Sequence, residues 1–222
     1  MVKPGYKQTE VGVIPEDWDC CRISETTARN PNSIKIGPFG SQLHRKYLTK
    51  TGYKVYGQAN VYERDMTIGE RYISKDYFDE LRSCEIKSGD FLISMMGTIG
   101  KCMIVPEYVP NGIIDSHLIR IRFNPSKIFP EFILQLFGSR IVSDQAQLLS
   151  VGGIMDGLSS NIIKNIFLPV PKEINEQRAI AEALSDVDAL IAALDKLIAK
   201  KRAVKTAAMQ QLLTGRIRLP GF

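Results

Sequence analysis

One uninterrupted run near the C-terminus constrains this chain more than any other feature. Neither proline nor glycine occurs in residues 172–214, and a helix of about 40 residues is roughly 60 Å long. Charge is sorted along that run. Residues 173–195 carry six acids (Glu173, Glu176, Glu182, Asp186, Asp188 and Asp195) against one base, Arg178. Residues 196–218 carry seven bases (Lys196, Lys200, Lys201, Arg202, Lys205, Arg216 and Arg218) and no acid. Two such helices laid antiparallel set the acidic half of each against the basic half of the other, whereas a parallel pair opposes like charges. The run is therefore suited to self-pairing or to a matched partner helix.

Its apolar residues repeat as a coiled-coil seam requires. Ile180, Leu184, Val187, Ile191, Leu194 and Ile198 alternate spacings of four and three, which keeps them on one face of a helix. Ala183, Leu190, Leu197 and Val204 widen the stripe on one flank, so it faces more than one narrow partner. Lys201 and Lys205 interrupt the seam before Ala208 and Leu212 resume it, and Gly215 is the expected stop.

At 222 residues the length fits one globular domain plus this extension. No segment approaches the apolar length of a membrane span, and the first residues are polar, so a cytoplasmic protein is expected. The cysteines, Cys20, Cys21, Cys84 and Cys102, have only His44 and His117 to join them. That spacing matches no zinc pattern, so buried free thiols are expected, with no metal site.

Up to about residue 171 the texture is that of a mixed sheet-and-loop domain. Gly5, Gly12 and Pro15 punctuate a non-helical lead-in, and Trp18 is expected to anchor it on the core. Segments 54–56, 71–73, 91–95, 101–105 and 117–123 read as short strands. In the last, Ile119 and Ile121 alternate with Arg120 and Arg122, the cleanest period-two signal in the chain. Lys87-Ser88-Gly89-Asp90 reads as a turn, as do the Gly97-Thr98-Ile99-Gly100 connection and the loop 150–157. Pro130 opens a helix with Phe132, Ile133, Leu136 and Phe137 on one face. Leu168-Pro169-Val170-Pro171 marks the exit from the domain.

The usual catalytic constellations are missing: no G-x-G-x-x-G, Walker pattern, H-E-x-x-H, nucleophile elbow or nuclease-like carboxylate set occurs. Asp115 and His117 are two apart, which fits either a base with its orienter or a hydrogen-bonded loop anchor, and the anchor is preferred. No catalytic residue and no cofactor is assigned. The binding inventory is richer. Between Glu25 and Glu63 there is no acid, while Arg29, Lys35, Arg45, Lys46, Lys50 and Lys54 all fall in the gap. Six cations without a counter-charge make either a solvated face or a site for a polyanion. Ser41, Gln42, His44, Arg45 and Lys46 follow the Gly37-Pro38-Phe39-Gly40 turn, and Gln58 and Asn60 follow Gly57. Arginine and lysine suit guanine edges, glutamine and asparagine suit adenine, and serine and lysine hold phosphates. Thr98 and Lys101 flank the Gly97/Gly100 turn, whose amides can meet a phosphate, and Gly152 and Gly153 form a comparable tip.

Several longer motifs carry a resemblance. They are Tyr6-Lys7-Gln8-Thr9-Glu10-Val11-Gly12-Val13-Ile14-Pro15-Glu16-Asp17-Trp18, Ile36-Gly37-Pro38-Phe39-Gly40-Ser41-Gln42-Leu43, and Gly89-Asp90 with Gly97-Thr98-Ile99-Gly100. Further along come Gly157-Leu158-Ser159-Ser160, the exit at 168–171, Glu176-Gln177-Arg178-Ala179-Ile180, and Met209-Gln210-Gln211-Leu212-Leu213-Thr214-Gly215-Arg216. Together they resemble the specificity subunit of type I restriction-modification systems over nearly the whole chain. The resemblance implies an α/β (mixed α+β) target recognition domain, residues 1–171, that reads one half of a split sequence in double-stranded DNA. It implies a long coiled-coil-forming spacer helix, residues 172–215, followed by a tail, 216–222. It also implies partners: methyltransferase subunits and restriction/translocase subunits, to which S-adenosylmethionine, ATP and base flipping would belong.

Members of that family usually hold two such units in one polypeptide, and this sequence has one. The missing half is therefore expected from a second copy or a separate chain. The charge sorting favours a second copy, antiparallel about a two-fold axis, on an interrupted inverted repeat. The competing reading from another class is an adaptor that binds no DNA and displays a small interaction domain on a dimerising helix. A regulatory half-subunit is a further alternative.

Overall fold

The computed structural model describes residues 2–95, 100–150 and 159–221. The chain divides into two compact units, Met1–Arg178 and Ala179–Phe222.

The first unit opens with an antiparallel hairpin, β1 (Tyr6–Thr9) and β2 (Gly12–Pro15). Gly12 adopts φ 103° at its corner, a conformation that costs glycine nothing sterically. Next come β3 (Asp19–Arg22) and β4 (Ile34–Ile36), then β5 (Leu48–Thr49), β6 (Tyr53–Tyr56), α1 (Gln58–Tyr62), β7 (Tyr72–Ile73) and α2 (Lys75–Glu80). They are followed by β8 (Phe91–Ser94), β9 (Cys102–Ile104), β10 (Gly112–Ile114) and β11 (Leu118–Ile121). The helices α3 (Pro130–Phe137), α4 (Arg140–Ser150) and α5 (Ser160–Asn165) lead to β12 (Phe167–Val170) and the long helix α6 (Ile174–Leu213).

Two four-stranded sheets carry the domain, in the orders β10-β6-β7-β5 and β4-β11-β8-β9. Among the described residues only β10 and β6 run parallel; the remaining pairs in these sheets are antiparallel. Between the sheets Val55, Tyr56, Ile73, Phe78, Leu92, Met103, Ile113 and Leu118 form one continuous apolar core. A further pair, β12 with β3, ties the exit of the unit to its beginning. The strands expected at 54–56, 71–73, 91–95, 101–105 and 117–123 are present within a residue or two of those limits, as is the helix opened by Pro130.

The alternation in β11 has a different cause from a wet outer face. Every residue of β11 is buried, and Arg120 has no exposed surface. Its guanidinium donates to the backbone carbonyls of Ser83, Glu85 and Asn32. Arg122 donates to both oxygens of buried Asp90, at 2.8 Å through Nε and 3.1 Å through Nη2, and to Glu85 O at 2.9 Å. Asp90 also accepts from Lys87 N at 2.8 Å, closing the turn expected at 87–90. The Nε of Arg120 lies 3.8 Å from Asp90 and has no hydrogen-bond partner among the described residues. Burial pushes the Arg120 guanidinium down to about 10, with Arg122 adding to the shift and Asp90 opposing it, which still leaves it charged at neutral pH.

Cys84 and Cys102 are buried free thiols as expected, whereas Cys20 and Cys21 are only half-buried because two-stranded β3 has an open face. Burial pushes the Cys21 thiol up to about 11 and raises that of Cys102 as well, so neither supplies a thiolate. Among the described residues no group of three or more His, Cys, Asp or Glu is placed to hold a metal ion, and no helix is long and apolar enough to cross a membrane.

The first turn of α6 belongs to the first unit. Gln177 is completely buried there. Its Nε2 donates to Lys127 O at 2.8 Å and Pro171 O at 2.9 Å, and its Oε1 accepts from Phe129 N at 2.8 Å. Trp18, expected to anchor the lead-in by burial on the core, is only half-buried and instead donates through Nε1 to Glu176 at 3.1 Å. In the second unit the helix ends at Leu213, and Gly215 follows at φ 68° with its N–H on Leu212 O. The seam residues Leu184, Val187, Ile191, Leu194 and Ile198 are 46–53% exposed, while Ile180 is partly covered.

Removing one member of a buried ion cluster leaves its partners charged and unpaired, at a typical cost of about 3–5 kcal/mol. Asp90→Ala is therefore expected to lower the unfolding free energy by about that much, read as a lower urea midpoint with an unchanged slope.

Candidate nucleic-acid interface

Three turns of the first unit meet at the edge where the parallel strands β6 and β10 end. Chain reversals follow both strands, Gly57-Gln58 after β6 and Asp115 after β10. The Gly37 segment joins them, since Gly37 N donates to Leu118 O at 3.3 Å. A Cβ on Gly37 would overlap the carbonyl of Asp115, so only glycine permits that approach.

From Gly37 the chain runs outward through two short 3-10 turns, Gly40–Leu43 and Arg45–Tyr47. Ser41, Gln42, His44, Arg45 and Lys46 are all exposed on this stretch. Its backbone is nevertheless held. The Tyr77 hydroxyl of α2 donates to Gln42 O, Tyr47 stacks on Tyr77 with ring centroids 4.4 Å apart, and His44 Nδ1 accepts from Lys46 N at 3.3 Å. Lys46 Nζ sits 4.9 Å from the Tyr47 ring centroid. The result is a pinned backbone with outward cations and amides, the arrangement a groove-reading loop needs. Lys35, on β4, is half-buried and lines a surface cavity with Phe39, Gln42, Glu80 and Cys84.

Two sequence candidates lie inside instead of at the surface. Lys54 is buried, its ammonium donating to Thr67 O and lying 5.8 Å from the Tyr56 ring centroid. Asn60 is buried as well: its Oδ1 accepts from Gly57 N at 2.9 Å and its Nδ2 donates to Asp65 O and Ile68 O at 3.0 Å. Both brace the 57–68 segment, because β6 is covered on both faces and polar groups there must find internal partners. Gln58 is half-buried at the start of α1, and Lys101 is exposed just before β9. Thr98, Gly152 and Gly153 lie outside the described residues.

A side chain not singled out from the sequence joins this edge. Arg71, beside β7, places Nη2 at 2.6 Å from Asp115 Oδ2. The other oxygen of Asp115 accepts from His117 N at 3.0 Å and lies 3.6 Å from His117 Nδ1. Asp115 is thus a loop anchor, the preferred of its two sequence readings, and it holds an arginine too. Arg71 precedes a two-residue strand and is 44 residues from its partner, so no local spacing signals the pair.

Against known proteins, the family model for the type I restriction modification DNA specificity domain matches residues 34–201, more than half of the chain. The chain belongs to that family. The MjaVIII type I restriction enzyme specificity subunit of Methanocaldococcus jannaschii is 26% identical over 219 residues, covering 96% of this chain and 49% of its own length. The putative MjaX specificity subunit of the same organism is 24% identical, covering 94% and 48%. This specificity-domain chain therefore spans about half the length of the curated relatives it matches. The fold is shared with the HsdS subunit from Thermoanaerobacter tengcongensis, with a TM-score of 0.63 at 19% identity over 94% of this chain and 52% of that one. A chain from a structure of a type I R-M system has a TM-score of 0.66 at 18% identity, over 89% and 45%. In the mixed α/β domain followed by a long helix, the fold expected from sequence is the fold observed.

The two interior residues should separate from the exposed ones experimentally. Asn60→Ala is expected to cost about 2–3 kcal/mol and Lys54→Met about 1–2 kcal/mol in denaturant unfolding. Neither should change the salt dependence of duplex DNA binding, whereas loss of a phosphate contact lowers that slope by about one.

Proposed function

We propose that this chain is a DNA-specificity component of a type I restriction-modification enzyme, non-catalytic itself, that grips one half-site and positions methyltransferase and restriction subunits around it. The observation carrying this reading is the exposed Ser41, Gln42, His44, Arg45 and Lys46 group on a pinned backbone, in a chain belonging to the specificity-domain family. In this reading residues 1–171 are the recognition domain, 172–215 the spacer and dimerisation helix, and 216–222 a tail. Lys35, Gln58 and Lys101 join the same DNA contact in this reading, Thr98, Gly152 and Gly153 are further candidates outside the described residues, and Lys54 and Asn60 brace the 57–68 segment. The recognition step is binding and positioning. Methyl transfer, translocation and cleavage belong to the partners.

The second half-site comes from a second copy. Several seam residues between Leu184 and Ile198 are about half exposed in a single chain, and a mate running the opposite way covers them while pairing acid with base. A two-fold pair carries identical domains and therefore reads an inverted repeat with a fixed central gap. Mapping methylated adenines in cells carrying this chain with its catalytic partners should return such a repeat. An asymmetric bipartite motif, with this chain as sole specificity component, would overturn the symmetric pairing.

Arg45→Ala with Lys46→Ala is expected to weaken duplex binding and reduce its salt slope, with Lys101→Ala having a modest effect. Unchanged affinity and slope in the double variant would remove both residues from the footprint. Absence of salt-linked DNA affinity in the unaltered protein would favour the adaptor reading instead.

A further inference from the structure

We propose that Arg71, held by Asp115, is a base-reading side chain of this domain, directed at the N7 and O6 edge of a guanine in the major groove, with Asp115 as its positioning residue. The proposal rests on the DNA-recognition reading above and assigns a specific contact within it.

Two arginine–aspartate groups in the same unit are built for different ends. Around Asp90, the Arg120 side chain is fully buried and that of Arg122 is 28% exposed. They donate to Asp90 and to the carbonyls of Ser83, Glu85 and Asn32, with Arg120 Nε the one buried donor left over among the described residues. At Asp115 the arginine is far more open. The Asp115 side chain is 7% exposed and that of Arg71 45% exposed, and the Arg71 guanidinium makes no other hydrogen bond among the described residues. A half-exposed ion pair adds little to stability. A buried carboxylate that fixes one guanidinium nitrogen does, however, set the orientation of the remaining donors, and a planar fork so held matches the two acceptors of guanine.

The surroundings leave room for this geometry. A Cβ on Gly57 would fall 2.5 Å from Arg71 Nη2 and 2.7 Å from Asp115 Oδ2, so a residue without a side chain is needed beside the pair. The second Asp115 oxygen, engaged by His117 N, keeps the carboxylate from turning. Gln58, which follows Gly57, and His117, whose side chain is 51% exposed, stand at the same edge as Arg71, so the guanidinium is offered from a polar turn cluster.

The test uses the full chain assembled with its methyltransferase partners. Duplexes carrying the motif mapped for the unaltered protein, and every single-base substitution in one half-site, are titrated at several salt concentrations. If the unaltered complex does not discriminate among them, the specificity function itself fails, before any variant is considered. Given discrimination, Arg71→Ala is expected to lose about 10- to 100-fold selectivity at one guanine position, leaving other positions and the salt slope nearly unchanged. Asp115→Asn should relax the same position. Arg71→Lys, which keeps a cation against Asp115 but has no fork, should not restore it. Full selectivity in Arg71→Ala overturns the proposal. So does a uniform loss across all duplexes with a slope reduced by about one, the mark of a phosphate contact. A mapped half-site lacking guanine overturns it as well. Should Arg71→Ala lose its cooperative urea transition, Arg71→Lys decides: a folded variant with intact guanine selectivity rejects base reading, and one without it supports base reading.

Discussion

Asp90 is the point on which the recognition unit turns. One buried carboxylate receives two hydrogen bonds from Arg122, lies against the Arg120 guanidinium, and closes its own turn through Lys87 N. The two arginines then gather the carbonyls of Asn32, Ser83 and Glu85, from segments far apart in the chain, onto β11. Each carbonyl so bound would otherwise be a buried acceptor short of a partner. A cluster of this kind gives little net stability relative to an apolar core, yet any partial version of it is worse than none. It therefore selects one arrangement of the segments around Asn32, Ser83 to Glu85 and Lys87 to Asp90 against the sheet.

The recognition edge divides its labour between layers. Lys54 and Asn60 hold the 57–68 segment from inside, and the Tyr47–Tyr77 stack fixes the backbone from which His44, Arg45 and Lys46 project. In the proposed function the exposed cations displace counterions condensed on DNA, while the groups beneath keep their spacing. Cationic reach and geometric definition come from different residues, and their effects on substitution should differ in kind.

The long helix, the strand alternation at Ile119 and Ile121, and the Pro130 helix were legible because each is written in local periodicity. The direction of Arg120 was not. Alternation assigns a charged side chain to water, and only distant carbonyls reverse that assignment. Lys54 misleads in the same way: it is one more cation in an acid-free stretch, and nothing nearby in sequence announces Thr67 O as its partner. The short elements β4, α1, α2 and α5 and the hairpin β1–β2 carry too few residues for a periodic signal, and tertiary packing fixes them. Of the recognition edge, the exposed segment after Gly37 was visible as composition, whereas the Arg71–Asp115 pair exists only through folding.

The bolt at Gln177 bears on how such chains trade parts. Its amide is spent wholly on Lys127, Phe129 and Pro171, so the opening turn of the rod is inherited with the domain that precedes it. A genetic crossover at the proline-rich exit, the natural seam by composition, would graft a foreign side chain into that socket and strand three backbone groups. A crossover after Arg178 carries the latch intact. Shuffling of specificities among relatives should thus leave its scars within the helix rather than before it.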